Sequence, residues 1–179
     1  MRVAICEYGA GNVRSVEIAF RRLGAELTTS LDDADLAVLP GVGSASSAMA
    51  GLRERGHDLA LRRRFDAGRP ILGICLGLQL ALEETDEDGG VRGLGLLPGR
   101  AVRLHEGRVP RMGWAPVDGR GTFYFAHSYA AETPAATAWS EGLVAEVRAG
   151  SFLGCQFHPE KSGDRGATYL EEALSLSLA

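Results

Sequence analysis

The chain contains 179 residues, carries a formal net charge of -4 at neutral pH, and is 45% hydrophobic. This length predicts a single domain, residues 1–179, that is large enough to bury a core without cross-links. A negative charge gives no electrostatic reason to expect nucleic acid as a partner, and no apolar run approaches the length of a membrane span.

The first half of the chain predicts strands that alternate with helices. The predicted strands are Arg2–Cys6, Glu26–Thr29, Leu36–Leu39 and Ile71–Ile74. The predicted helices run from the cap Asn12 to Leu23, from Ser44 to Ala67 with an interruption near Gly56, and from Leu76 onward. This alternation favours parallel pairing in a doubly wound α/β sheet, in which ligands lie beyond the carboxyl ends of the strands.

The second half of the chain is richer in strands and turns. Its predicted strands are Ala101–His105, Thr122–Tyr129, Leu143–Arg148 and Phe152–Phe157, of which the last two form a plausible hairpin. A closing helix is predicted from about Asp164 to Leu178, and the acidic run Glu83–Asp88 is most simply a solvated surface. The predicted fold class is therefore α/β, with a mostly parallel central sheet flanked by helices and an antiparallel, strand-rich C-terminal half.

The segment Pro70–Leu82 has the pattern of a nucleophile held on a sharp turn between a strand and a helix. It places Cys75 between Gly73 and Gly77, as serine is placed in the G-x-S-x-G elbow. Small residues at both flanking positions let the strand and the helix pass closely, and the unpaired amides of the following helix favour the thiolate form of the cysteine. Taken alone, the pattern fits a buried structural cysteine equally well.

The three cysteines, Cys6, Cys75 and Cys155, cannot all pair with one another. Their spacing matches no metal-binding motif, and nothing in the sequence has the pattern of a signal peptide. We therefore expect a reducing, cytoplasmic setting, with neither a metal ion nor a cofactor.

His158 has the strongest case among the four histidines as a base for Cys75. It follows a predicted strand and is separated from Glu160 only by Pro159. In extended backbone residues two apart point the same way, so the carboxylate can orient the imidazole. The alternative is a capping histidine and a solvated glutamate before a helix. The remaining histidines are more typical of surface or core positions: His57, His105 and His127.

Four residues stand out because their types are rare in this chain. Lys161 is the only lysine, Asn12 the only asparagine, and Gln79 and Gln156 the only glutamines. Arginine does not replace a compact ammonium everywhere, and few side chains copy a carboxamide. This bias suggests that the positions that keep these residues need them chemically.

Several motifs now carry a resemblance to a known family. GICLGLQ around Cys75 and QFHPEKS at 156–162 resemble the class I glutamine amidotransferases. More narrowly, a second set of motifs resembles the glutaminase subunit of imidazole glycerol phosphate synthase: YGAGN at 8–12, PGVG at 40–43, PRMGW at 110–114 and HSY at 127–129. These motifs span nearly the whole chain in the family's order. The resemblance implies the flavodoxin-like fold of the class I glutamine amidotransferases.

The resemblance also implies a reaction. Glutamine would be hydrolysed to glutamate and ammonia, and the ammonia would pass to a cyclase subunit of (β/α)8-barrel fold. That cyclase makes imidazole glycerol phosphate and an aminoimidazole carboxamide ribonucleotide in histidine biosynthesis. Cys75 would attack the amide carbon, His158 would shuttle the proton and Glu160 would hold His158. The other implied contacts are Gln79, Ser128 and Tyr129 with the substrate, and the amides of Gly43 and Leu76 with the oxyanion.

Three residues are candidates for contacts with the partner. Asn12 and Lys161 are expected to line the partner-facing edge, where they would form polar contacts at the ammonia exit. Trp114, in a predicted loop, is a further interface candidate. Ala115 stands where the family would have asparagine, which puts one docking contact in doubt.

Val42 in the PGVG loop leads to a hypothesis about timing. An amide that points at an oxyanion needs a particular backbone orientation, and a β-branched residue resists the unusual dihedral angles that glycine accepts. We therefore expect the oxyanion hole to be completed only when the partner and its ligand bind.

Three other functions remain open from the sequence. A glutaminase subunit of another synthase is disfavoured by HPEKS and YGAGN. A stand-alone cysteine hydrolase would work without a partner and would ignore glutamine. A catalytically silent binding module is disfavoured because Cys75, His158 and Glu160 are all present.

Overall fold

A seven-stranded sheet forms the centre of the fold. The computed structural model describes residues 1–9, 13–41 and 43–176. The strands are β1 (Arg2–Ile5), β2 (Glu26–Thr28), β3 (Leu36–Leu39), β4 (Ile71–Ile74), β5 (Glu84–Thr85), β6 (Val91–Arg92), β7 (Arg100–Arg103), β8 (Arg111–Val117), β9 (Gly121–His127), β10 (Tyr129–Glu132), β11 (Ala136–Ser140), β12 (Leu143–Ala149) and β13 (Phe152–Cys155). The helices are α1 (Arg14–Arg22), α2 (Ala45–Glu54), α3 (His57–Asp66), α4 (Leu76–Ala81) and α5 (Gly163–Ser175), with short 3-10 helices at Glu87–Gly89 and Pro159–Lys161.

The central sheet has the strand order β11-β12-β13-β4-β3-β1-β2. The strands from β13 to β2 are parallel, whereas β12 and β11 are antiparallel to their neighbours. Every residue of β3 and β4 is buried, as expected for parallel strands that are covered on both faces. The predicted mostly parallel sheet is therefore confirmed.

Helices cover the central sheet on both faces, and each face has its own apolar core. On one face, Met49 and Leu52 of α2 pack with Ile71 of β4. On the other face, Phe20 of α1 and Tyr169 of α5 pack in a second buried cluster. Alternate side chains of β3 and β4 point into the two cores, because successive residues of a strand face opposite sides.

The strands from β5 to β10 form two smaller sheets, whereas β11, β12 and β13 belong to the central sheet. One has the order β10-β7-β5-β6 and the other is the pair β8-β9. The predicted strand Thr122–Tyr129 is wrong as one element, because the chain leaves β8-β9 at Ser128 and joins β7 as β10. The PRMGW segment is also not a loop but the start of β8. Gly113 and Pro116 make this strand hard to predict, because glycine and proline are uncommon inside strands. Its pairing with β9 defines it.

Several helix predictions are also settled. Ser44, at which the second predicted helix begins, caps α2, and its side chain accepts a hydrogen bond from the amide of Ser47. The predicted cap Asn12 and the end of the closing helix at Leu178 lie outside the described residues. Within the ranges that the structure describes, no helix combines the length and the apolar character needed to cross a membrane.

Candidate active site

Cys75 occupies a strained turn between β4 and α4. Its φ of 50° and ψ of -107° lie outside the regions that side chains normally prefer. A Cβ at Gly77 would lie 1.9 Å from the carbonyl oxygen of Leu39, and one at Gly73 would lie 2.6 Å from Phe152 Cζ. Both flanking positions therefore exclude a side chain, for the steric reason that the elbow pattern predicted.

Gly41 of the PGVG motif packs directly against this turn. A Cβ at Gly41 would lie 2.0 Å from the carbonyl oxygen of Ile74 and 2.7 Å from both the Cβ of Cys75 and the amide nitrogen of Leu76. Leu76 is the first residue of α4, so its amide has no partner within the helix. Gly43, with a φ of 102°, lines the same pocket as Leu76. Val42 lies outside the described residues.

His158 reaches Cys75 because β13 lies beside β4. The two strands are parallel, with Cys155 paired to Ile74, so the chain leaves β13 next to the elbow. The backbone of His158 is fixed on both sides, since its amide donates to the carbonyl of Tyr124 at 2.8 Å and its carbonyl accepts from Ser162 Oγ at 2.7 Å. This anchoring gives the imidazole a defined position.

The imidazole of His158 pairs with the carboxylate of Glu160. Its Nδ1 lies 2.8 Å from Glu160 Oε1, and each side chain is only 4% exposed. Burial opposes protonation of the ring, but hydrogen bonds and charge from Cys75 and Glu160 outweigh it and raise the pKa of His158 to about 9. At neutral pH the imidazolium is favoured, and this form can give a proton to a leaving group.

These residues open into a pocket of about 320 Å³. It brings together eight of the predicted site residues: Gly43, Cys75, Leu76, Gln79, Ser128, Tyr129, His158 and Lys161. Its lining also includes residues that were not predicted as site residues: Gly41, Glu87, Pro110, Ala126 and His127. Glu160 contacts His158 but does not line the pocket. Asn12 lies outside the described residues.

The backbone carbonyl of Tyr129 interacts with two side chains of this pocket. It accepts a hydrogen bond from Gln79 Nε2 at 2.9 Å and lies 2.8 Å from His127 Nδ1. Because a carbonyl only accepts, the proton of His127 must lie on Nδ1. Burial, assisted by the charges of Arg111 and His158, lowers the pKa of His127 to about 4, although the Tyr129 carbonyl opposes this shift. His127 is therefore neutral at pH 7.

Glu87 corrects the prediction that the acidic run is simply solvated surface. It is partly buried, it lines the pocket, and its Oε2 accepts from the amide of Ala45 at 3.1 Å. Burial raises the pKa of Glu87, and the nearby charge of Asp88 adds to this, against the hydrogen bond from Ala45. Nothing in the sequence distinguishes Glu87 from its acidic neighbours. Its position in the pocket depends on its contact with α2, which is distant in the chain.

A small aromatic cluster extends from the pocket to the surface. Trp114 on β8 is 60% exposed and meets the ring of Tyr124 edge to face, with centroids 6.0 Å apart. Lys161 Nζ lies 6.0 Å from the centroid of the Tyr124 ring. Met112 is exposed on the same strand, whereas Ala115 faces inward and is buried. The candidate interface residues Trp114 and Lys161 thus meet at Tyr124.

The acidic, histidine and cysteine side chains form no metal-binding group in the part of the chain that the structure describes. Among residues 1–9, 13–41 and 43–176, no three of them are placed so that they could hold a metal ion. All three cysteines are free and buried. Cys75 is therefore a free thiol that lines the pocket.

Comparison with known proteins defines the class. A sequence model of the family "Glutamine amidotransferase class-I" matches residues 8–175. A solved glutamine amidotransferase superposes with a TM-score of 0.79 at 24% identity and with 99% of each chain covered. PurLQS from Thermotoga maritima superposes with a TM-score of 0.76 at 18% identity, again with 99% of each chain covered. Fold and family agree that the chain is a class I glutamine amidotransferase.

The sequence relatives narrow this class. The imidazole glycerol phosphate synthase subunit HisH of Methanothermobacter thermautotrophicus is 42% identical, over 97% of this chain and 98% of the relative. The HisH subunit of Thermus thermophilus is 40% identical, over 95% of each. The chain belongs to the HisH family of imidazole glycerol phosphate synthase subunits.

Proposed function

We propose that this chain is the glutaminase subunit of imidazole glycerol phosphate synthase. It hydrolyses glutamine to glutamate and ammonia and passes the ammonia to a cyclase subunit with which it forms a heterodimer. The observation that carries the proposal is the buried pair of His158 and Glu160, 2.8 Å apart, beside Cys75 in a pocket of a HisH-family chain. The free thiols suit a reducing, cytoplasmic setting, which stays a prediction.

The reaction follows from the positions of these side chains. The sulfur of Cys75 attacks the side-chain amide carbon of glutamine, and the amides of Gly43 and Leu76 stabilise the oxyanion. His158 gives a proton to the departing nitrogen, which leaves as ammonia. Water then attacks the thioester while His158 takes its proton, so that glutamate leaves and Cys75 is restored. Glu160 holds the imidazole in position throughout.

The pocket offers complementary groups for the amino-acid end of glutamine. Both hydrogens of Gln79 Nε2 are taken by Tyr129 and Gln156, so Oε1 is the atom of this amide that remains for the substrate. Glu87 is the acidic residue among the described residues that line the pocket. We assign Glu87 to the α-ammonium group of glutamine and the backbone at Ser128 and Tyr129 to its α-carboxylate.

Glu87→Gln is expected to raise KM for glutamine and to lower kcat/KM by roughly 10- to 100-fold, because a charge-assisted hydrogen bond is lost. The substitution keeps an oxygen for the amide of Ala45, so α2 stays capped. Steady-state kinetics of the complex would measure the effect. Glu84→Gln, on the exposed part of the same acidic run, is the matched control. Its KM and kcat/KM for glutamine should equal those of the parent. An unchanged KM in Glu87→Gln would remove Glu87 from the substrate site.

The aromatic cluster is the proposed contact with the cyclase. Exposed aromatic residues are frequent anchors of interfaces, and Lys161 both lines the pocket and contacts Tyr124. Lys161 therefore connects the glutamine site with the proposed partner surface. Asn12 is proposed for the same edge, and the inward position of Ala115 takes it out of this contact.

The decisive experiment measures ammonia release from glutamine by the chain alone, with the barrel cyclase, and with the cyclase plus its nucleotide substrate. Release is expected to rise by roughly 5- to 150-fold with the full set, which corresponds to an ordinary coupling free energy. Full activity of the chain alone would contradict the hypothesis that the oxyanion hole is completed only when the partner and its ligand bind. A chain that does not hydrolyse glutamine under any of these conditions would contradict the proposed function.

Lys161→Ala should lose most of the increase in ammonia release while its fold is retained.

A further inference from the structure

Gln156 is a completely buried polar residue that the proposed mechanism does not use. It lies between the end of β13 and His158, and its backbone amide donates to the carbonyl of Ala145 at 2.9 Å. Its side-chain amide touches two residues of the site. Gln156 Oε1 lies 3.0 Å from Gln79 Nε2, and Gln156 Nε2 lies 3.5 Å from the sulfur of Cys75.

The carbonyl of Tyr129 fixes which atom donates in each of these hydrogen bonds. The carbonyl of Tyr129 can only accept, so the nitrogen of Gln79 must face it. The second hydrogen of that nitrogen then points at Gln156, which must present its oxygen, since a flipped amide would set two donors against each other. The amide nitrogen of Gln156 is thereby aimed at the sulfur of Cys75.

A donor in this position distinguishes the two forms of the cysteine. An N–H group binds a neutral thiol weakly, but its hydrogen bond to a thiolate is charge-assisted. Gln156 has 0% of its surface exposed, so water does not compete for the contact. The hydrogen bond therefore stabilises the anionic sulfur relative to the thiol.

We propose that Gln156 is a further catalytic residue, whose Nε2–H group donates to the sulfur of Cys75 and stabilises the thiolate that attacks the substrate. Gln79 sets the direction of the Gln156 amide, and through Tyr129 it links the sulfur to the part of the pocket that holds the amino-acid end of glutamine. This inference rests on the proposed role of Cys75 as the nucleophile.

The test is the rate at which iodoacetamide alkylates Cys75 in the isolated chain, located by mass spectrometry. Gln156→Met keeps the length of the side chain but removes the donor. We expect its alkylation at about pH 7 to be about tenfold slower than that of the parent, and we expect the difference between the two rates to be smaller at about pH 10. The assay needs neither glutamine nor the cyclase, so its failure is distinct from failure of the proposed function.

Other groups near the sulfur are the same in parent and variant, so the difference in rate reports Gln156. The titratable groups that interact with Cys75 are His158, which pairs with Glu160, and the buried thiol of Cys155. Those that line the same pocket are His127, Glu87 and Lys161. Ser140→Ala is the matched control, because Ser140 is equally buried but bonds to Arg111. It should alkylate at the parent rate.

Two outcomes would overturn the proposal. One is a folded Gln156→Met variant that alkylates at the parent rate at neutral pH. The other is an equal slowing in Ser140→Ala, which would show a general structural effect. If thermal unfolding shows that Gln156→Met does not fold, Gln79→Met carries the test. It frees the Gln156 amide to rotate and should slow alkylation severalfold, and a parent-like rate there would also overturn the proposal.

Discussion

Cys75→Ser is expected to lower glutamine hydrolysis by at least about 10⁴-fold without changing the fold. A serine hydroxyl gives up its proton far less readily than a thiol and is a weaker nucleophile, so the proposed attack on the amide carbon is lost at the elbow. One of the interactions that raise the pKa of His158 to about 9, the charge of Cys75, would be lost as well. Ammonia release from glutamine by the complex, measured under saturating substrate, would quantify the loss.

The control for this variant is the reaction of the cyclase with added ammonium salt. It should proceed at the rate of the parent complex, because it does not require the glutaminase site. Cys75→Ser is also expected to form no glutamyl thioester that can be trapped on the chain. If the variant kept more than about one hundredth of the parent rate, another residue would have to be the nucleophile.

Gly77→Ala is expected to destabilise the fold by about 3 kcal/mol or more. The added Cβ would lie 1.9 Å from the carbonyl oxygen of Leu39, which belongs to the buried central strand β3 and has little room to move. Either α4 or β3 has to shift, and both hold the elbow. Urea or thermal unfolding of the isolated chain would measure the change, and glutaminase activity should fall with it.

Gly95→Ala separates this clash from the general cost of replacing a glycine. Gly95 has a φ of 62°, but no atom lies within 4 Å of the position that a Cβ would take. Its substitution should cost only about 1 kcal/mol, from backbone strain. Equal destabilisation by the two substitutions would show that the approach of α4 to β3 is not the reason for glycine at position 77.

Local patterns in the sequence predicted the turn that holds Cys75 and the proximity of His158 to Glu160. Cys75 was found because an elbow needs small residues on both sides, and the Cβ distances at Gly73 and Gly77 bear this out. His158 and Glu160 were paired on the expectation of extended backbone, in which residues two apart share a side. They do lie 2.8 Å apart, but the expected backbone was wrong, because Glu160 stands in the 3-10 helix Pro159–Lys161. Both are short-range constraints, so the sequence alone expresses them. The extent of the domain, 1–179, stays a prediction.

Contacts between distant segments were missed. Gln156 and Cys75 are 81 positions apart, and Glu87 reaches α2 across 42 positions. His127 was expected at the surface or in the core, and it is buried, but it also lines the pocket. The strand β8 was mistaken for a loop, because Gly113 and Pro116 interrupt its alternation and the exposed Trp114 resembles a loop residue.

The sequence alone predicts the class of fold and a candidate nucleophile with proposed acid-base partners, because glycine spacing and the alternation of strands with helices are local features of the chain. Tertiary structure places further polar groups beside the sulfur and in the pocket. It did so by setting β13 beside β4, moving the chain from β9 to β10 at Ser128, and packing Glu87 against α2. A buried polar group takes its partner from whichever segment packs against it, and the sequence around that group carries no record of this choice.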